Sequence, residues 1–330
     1  MYAQLLERIE NVTPDTFAEV ALAVFRYQAE RNATYAEYLR LLGVRPREVE
    51  HAERIPHLPI ALFKTHDLRS GDWAADRVFT SSGTTGSTTS RHPLRHPDWY
   101  REGARRTFEE IYGPLTGRPV LALLPAYLER TGSSLVFMAE DFIRRSGHPA
   151  SGFYLDDLEG LAGKLKDLNA AGGPAPLLLG VSFALLDLAE TFPQPLPNFI
   201  VMETGGMKGR RRELTRTELH GVLKKAFGLG RIHSEYGMTE LLSQAYAPAD
   251  GRFLPAPTLR AYARQITDPF AYVPPGKSGV LNLTDLANVE TISFIATDDL
   301  GRVFPDGSFE VLGRLDAADA RGCNLLYTDV

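Results

Sequence analysis

From Arg118 to Ala247 the chain repeats one pattern: a short apolar run, a polar loop, then an amphipathic helix. "RPVLALLPAYL" leads into "SSLVFMAEDFIRRSG", and "PAPLLLGVS" into "FALLDLAETF". "PNFIVMETGGMKG" leads into a helical stretch with Thr215 and Glu218 placed as a capping box and Gly228 or Gly230 as its stop. "RIHSEYGMTELLSQAYA" adds one more strand and loop. Strands that succeed one another through helical crossovers must run parallel, so the alternation predicts an α/β fold around a parallel sheet.

The flanks have a different texture. Phe17, Val20, Ala21, Val24 and Tyr27, then Tyr35, Tyr38, Leu39 and Leu42, recur at helical spacing and predict a helical segment within residues 1–75. A further helix is expected from Pro97, with Gly113 ending it. After Pro248 the chain breaks into short strands interrupted by proline, and "PDG" at Pro305–Gly307 turns "GRVF" back onto "SFEVLGR". The expected organisation is therefore residues 1–75 helical, 76–247 an α/β core holding a phosphate loop and nucleotide site, and 248–330 a small β-rich lobe.

Several function classes fall away. Lys and Arg number 36 against 41 Asp and Glu, with both signs scattered along the chain, so no basic stripe is present to track a nucleic acid. "MYAQLLERIEN" mixes charges among its apolar residues, unlike a secretory signal, and no run is long enough to span a bilayer; the expected compartment is the cytoplasm. The single cysteine, Cys323, rules out an internal disulfide and argues against a thiolate zinc site. No Gly-x-Ser-x-Gly elbow is present for a serine hydrolase.

Chemistry concentrates in the loops. Between Thr80 and Ser90 the stretch "TSSGTTGSTTS" is wholly Gly, Ser and Thr. It is either a flexible linker or a phosphate cradle, in which backbone N–H groups and rotating hydroxyls converge on one anion. It ends in no Gly-Lys-Ser/Thr and lacks Gly-x-Gly-x-x-Gly spacing, so neither common nucleotide loop applies. Arg91 or Arg95 stands nearby as a cation. "ETGGMKG" ends a strand and is open to a flat base, or is a simple turn. "HSEYGMTE" sets Tyr236 and two carboxylates, Glu235 and Glu240, around Gly237, where a carboxylate can hold Mg²⁺ against phosphate oxygens. His233 fits a packing or hydrogen-bonding role better than that of a base. Asp298 and Asp299 can accept ribose hydroxyls or form a turn, and Arg314 can clamp an anion or pair at the surface.

In order, "SSGTTG", the Gly-Gly loop, "YGMTE", the Asp turn and "GRLD" resemble the signature of the adenylate-forming enzymes, the superfamily of acyl-CoA synthetases and firefly luciferase. "LPIALFKTHDL", "METGGMKGRR", "SEYGMTELLSQAY" and "GRLDAADARGCNLL" extend the likeness toward the acyl-protein synthetases of bacterial bioluminescence, over nearly the whole chain. The resemblance implies the large adenylation domain of the acetyl-CoA synthetase-like fold. It also implies a two-step reaction in which a carboxylic acid, a fatty acid by this likeness, attacks ATP and the acyl group passes to a thiol. By the same likeness Ser82, Gly83, Thr84, Thr85 and Gly86 hold the β- and γ-phosphates, and Gly205, Gly206 and Met207 line the adenine with Tyr236 and Gly237. Thr239 meets the α-phosphate, Glu240 the Mg²⁺, Asp299 the ribose and Arg314 the ribose or phosphates.

Two departures stand out. Most members carry a mobile C-terminal domain with a catalytic lysine after the "GR-x-D" hinge, which is expected to be absent here, leaving Lys or Arg elsewhere or a partner protein to compensate. The usual Pro-Lys after the glycine loop is replaced by "STTSRH". Cys323, beside Arg321, is either an acyl carrier whose thiolate the guanidinium favours or a small buried apolar residue. The acceptor is accordingly Cys323 with an acyl-accepting reductase beyond it, free CoA, or an acyl carrier protein; a non-catalytic nucleotide-binding scaffold is the remaining alternative. "YLERTGSSLVFM", with Tyr127 and Phe137, is expected to border the acyl pocket.

Overall fold

The computed structural model describes residues 2–81, 88–125, 132–155, 157–205 and 214–315. Three helices open the chain, α1 (Tyr2–Glu10), α2 (Phe17–Arg31) and α3 (Ala33–Leu41), followed by the short strand β1 (Leu58–Pro59) and a hairpin of β2 (Arg77–Thr80) and β3 (Arg91–Leu94). The alternating region then runs α4 (Pro97–Tyr112), β4 (Val120–Leu123), α5 (Ser134–Ser146), β5 (Gly152–Phe153), α6 (Leu158–Ala171), β6 (Leu177–Val181), α7 (Ser182–Thr191), β7 (Ile200–Thr204), α8 (Arg216–Phe227) and β8 (His233–Tyr236). Six further strands close the chain: β9 (Ala245–Ala247), β10 (Arg252–Pro255), β11 (Leu259–Arg264), β12 (Ser278–Asp285), β13 (Phe294–Val303) and β14 (Phe309–Arg314). No helix among the described residues is long and apolar enough to cross a membrane.

The parallel sheet expected from the alternation is present, in the order β5-β4-β6-β7-β8. "VLAL", "LLLGV" and "IVMET" are buried at every position, as strands covered by helices on both faces must be. At β8 the sheet changes character: β9 pairs with it antiparallel, and β10, β14, β13, β12 and β11 continue the same sheet, with β1 added parallel to β13. The carboxyl ends of β7 and β8 therefore lie side by side at the boundary between the two halves, where open α/β sheets gather ligands.

Local signals set the element ends. Thr215 and Glu218 form a reciprocal capping box and Gly228 stops α8 in the left-handed region at φ 62°. Pro97 opens α4 and Gly113 follows it. Gly307, at φ 83°, turns β13 onto β14, as the "PDG" spacing predicts. Sequence periodicity gave no sign of α6, capped by the Asp157 carboxylate on the Gly160 amide at 2.8 Å, nor of the hairpin that frames the Ser/Thr/Gly loop.

Two apolar cores result. One lies between α4–α8 and the parallel strands. The other joins the opening helices to the closing strands: Phe25, Tyr35 and Phe294 meet with ring centroids 6.0–6.1 Å apart. Gln28, fully buried, locks that junction by donating to the Asn288 carbonyl at 3.0 Å and the Ser293 hydroxyl at 3.1 Å while accepting from the Ser293 amide at 3.0 Å. Asn32 does the same with the carbonyls of Leu68 at 2.6 Å and Thr291 at 3.1 Å. Buried amides satisfied on both sides specify one docking geometry, which apolar packing alone does not.

Candidate active site

Ser82, Gly83, Thr84, Thr85 and Gly86 lie outside the described residues, but both stems of their loop are defined. Thr80 pairs with Arg91 at the end of the hairpin; the Ser81 amide then donates to the Ser90 carbonyl at 3.1 Å and the Ser90 amide to Ser81 Oγ at 2.9 Å. The two stems thus form a closed ribbon as far as Ser81 and Ser90. Its far stem comes close to the second motif, near enough for the Ser90 hydroxyl to favour the charged form of the Glu240 carboxyl. Burial raises the pKa of Glu240, and Ser90 together with the nearby charges of Arg314 and Lys64 opposes that rise.

The "YGMTE" loop between β8 and β9 is irregular, and its backbone is satisfied by side chains from far along the chain. Asp285 accepts from the amides of Leu242 at 2.8 Å and Ser243 at 2.9 Å and from the Ser243 hydroxyl at 2.6 Å. Asn288 donates to the Glu240 carbonyl at 2.7 Å. His92 of β3 lies 2.8 Å from the Thr239 carbonyl through Nδ1 and 2.9 Å from Thr291 Oγ1 through Nε2. A carbonyl only accepts, so Nδ1 carries the proton and Nε2 accepts from the threonine; burial keeps the ring neutral, with its pKa lowered to about 4. Thr239 and Glu240 are therefore tied to both the hairpin and the closing strands.

A third cluster occupies the side of β8 that Tyr236 faces. Its ring packs against Phe253 and Phe309, at centroid distances of 5.6 and 5.4 Å, and its hydroxyl donates to Asp299 Oδ2 at 2.7 Å. Asp299 stands opposite Arg314 in the β13–β14 ladder, with Arg314 Nε 3.9 Å from Oδ1 and its guanidinium largely in solvent. Burial raises the pKa of Asp299, against the Tyr236 hydroxyl and Arg314. Asp298 points outward and its carbonyl receives the Leu315 amide at 2.7 Å.

At the end of β7, Gly205 has φ 67°, and its carbonyl accepts from the Ser182 hydroxyl at 2.9 Å; Gly206 and Met207 lie outside the described residues. Below it, Glu203 is buried, which pushes its pKa up, but His220, Arg216 at 3.1 Å and Ser234 outweigh burial and hold it lowered. Arg216 continues to the Val311 carbonyl at 2.7 Å, joining the strand end to β14.

Tyr236, Gly237, Thr239, Glu240, Asp299 and Arg314 thus share one neighbourhood with the stem of the Ser/Thr/Gly loop. Cys323 and Tyr127 fall outside the described residues. Sequence reading missed His92, Asp285, Asn288 and Lys64, whose significance comes only from partners distant in the chain. Among the described residues no three His, Cys, Asp or Glu side chains cluster as a metal cage. One buried carboxylate flanked by a hydroxyl supplies hard oxygen donors and suits Mg²⁺, which takes few protein ligands and completes its shell with phosphate and water.

No protein-family model matches the chain, and no curated protein sequence does. Solved structures do match. ATP-bound MatB from Rhodopseudomonas palustris is 17% identical with a TM-score of 0.54, over 74% of this chain and 50% of that one. The chain therefore spans half the length of MatB. 2-Hydroxyisobutyryl-CoA ligase in the postadenylation state, in complex with 2-HIB-AMP, is 14% identical with a TM-score of 0.67, over 94% of this chain and 70% of that one. The same ligase with 2-HIB-AMP and CoA, in the thioesterification state, is 15% identical at 0.67. Similarity at this level is one of fold alone: the chain shares the architecture of these two proteins.

Proposed function

We propose that the protein activates a carboxylic acid with ATP and passes the acyl group to a thiol. The observation that carries this is the 2.8 Å contact of His92, on the strand that leaves the Ser/Thr/Gly loop, with the Thr239 carbonyl, which joins that loop's stem to the "YGMTE" loop and its buried Glu240, near Asp299 and Arg314. In the first step the substrate carboxylate oxygen attacks the α-phosphorus; the bond to the β-phosphate oxygen breaks, and acyl-AMP and pyrophosphate form. Two anions meet, so the residues must cancel charge and orient. Arg314, exposed and held next to Asp299, is placed to meet phosphate or ribose oxygens, and Asp299 to accept from ribose hydroxyls. By the sequence resemblance, Ser82, Gly83, Thr84, Thr85 and Gly86 hold the terminal phosphates. Mg²⁺, held by Glu240, would neutralise phosphate charge when bound.

In the second step a thiolate attacks the acyl carbon, a thioester forms and AMP leaves. The sequence resemblance implies a fatty acid as substrate, Cys323 as acceptor and a reductase beyond it. Intact mass after incubation with ATP, Mg²⁺ and a panel of acids tests this: an acyl adduct on the wild type that Cys323→Ser cannot carry is expected. Pyrophosphate release without an adduct assigns the thiol to CoA or a carrier protein, and the CoA in the hydroxyisobutyryl ligase complex favours that second reading. ATP binding with no acid-dependent pyrophosphate refutes activation altogether.

A further inference from the structure

The end of α1, one face of α4 and the stretch that follows Glu240 enclose a cavity of about 180 Å³. Ile9, Val12, the Trp99 indole, Leu242 and Pro257 give it an apolar wall. The hydroxyls that line it are already spent on the protein. Thr107 donates to the Gly103 carbonyl at 2.9 Å; Ser243 donates to Asp285 Oδ1 at 2.6 Å, so Thr258 is the donor in its 2.7 Å contact with Ser243. A polar guest finds no free hydroxyl donor there, whereas an apolar one suits the space: an apolar cavity of about 150 Å³ takes up benzene.

The solvent side of the cavity carries an excess of one sign. Glu10, Glu102 and Glu110 line it against Arg106 alone, and Arg106 is engaged by Glu102 at 3.1 Å. Glu10 and Glu110, both exposed, have no ion-pair partner among the described residues. Each stands in the last turn of its helix, where the terminal carbonyls already carry partial negative charge. α4 has no basic residue in that turn, and Arg8 of α1 is taken by Glu19 at 2.8 Å. A cation is what this charge distribution lacks. The geometry points to a binding site for a small apolar amine, its aromatic or branched-alkyl group in the cavity and its ammonium at the Glu10 and Glu110 carboxylates. Leu242 and Ser243, which form part of the wall, belong to the loop that carries Thr239 and Glu240, and Asp285 holds their amides. An occupied cavity therefore stiffens that loop from behind.

The test is titration of the full chain with phenethylamine, and with ethylbenzene and phenylacetate as neutral and anionic probes of similar size. Trp99 emission, read in a Trp73→Phe background, and amide hydrogen exchange of the wild type follow binding. Phenethylamine is expected to bind saturably, at least tenfold more tightly than either other probe, and to slow exchange at Leu242 and Ser243. Glu10→Gln combined with Glu110→Gln changes only exposed side chains, which seldom disturbs folding, and is expected to cut the preference for the amine over ethylbenzene to less than threefold. Gly103→Leu, which fills the cavity, is expected to abolish binding of all three; if that variant does not fold, the double glutamine variant decides. An undiminished preference in the double variant, equal binding of the three probes, or no saturable response overturns the assignment, whichever way acid activation is decided.

Discussion

Glu240 and Glu235 lie five residues apart, both buried, and the protein treats them differently. Burial raises the pKa of Glu240 as well, but there Ser90 and the charges of Arg314 and Lys64 oppose the rise and favour the charged form that metal and phosphate chemistry requires. Glu240→Gln is expected to lower acid-dependent pyrophosphate release by about 10²-fold or more, the usual scale for losing one group that stabilises developing charge, with an unchanged thermal midpoint. Burial pushes Glu235 up to about 7, with the Glu203 charge adding to the rise and Thr204 opposing it. A carboxyl that prefers its proton when folded stabilises the fold below its unfolded value, near 4.5, and that contribution is lost as pH rises to about 7. The difference in unfolding free energy between wild type and Glu235→Gln should therefore change by roughly 3 kcal/mol between pH 4 and 8, in favour of the variant at high pH. His57, lowered to about 3, and His92 and His233, each lowered to about 4, act in the opposite sense below pH 6.5, and they cancel in that difference.

At the scale of elements, the clearest division is between ends and joints. The caps of α4 and α8 and the turn at Gly307 were legible in the sequence because each depends on residues within a few positions of one another. The loops at the ends of β7 and β8 were legible as candidate site loops for the same reason. Asp285, His92 and Gln28 were not, since an acid, an imidazole and an amide in isolation say nothing of partners 42, 147 and 265 positions away. Asp285 is the joint on which the site loop depends most. Besides three bonds to Leu242 and Ser243 it accepts from the Ala287 amide at 3.0 Å. Asp285→Ala is expected to cost on the order of 3 kcal/mol or more, by stranding buried amides, and to abolish exchange activity; denaturant unfolding of the two proteins measures the first. Asp285→Asn, which keeps one acceptor oxygen, should fall between.

For the whole molecule, the sheet passes without a break from its parallel to its antiparallel half, and the opening helices are welded to the closing strands. Stability should therefore not divide along the chain. Hydrogen exchange of α2 is expected to open together with β12 and β13 as one cooperative unit; faster exchange of α2, while β13 stays protected, would contradict that. The fold class was readable from 118–247 because helix and strand periods are local. The second core was not, because nothing in the helical spacing of Phe17–Leu42 says which sheet face it will cover.

The Gln28 amide has a further meaning during synthesis. Its acceptors and donor near Ser293 leave the ribosome some 265 residues later, a delay of roughly ten seconds to a minute at ordinary translation rates. The helix that carries Gln28 is thus completed only when those later strands emerge, and until then its apolar face is the one a chaperone would have to shield.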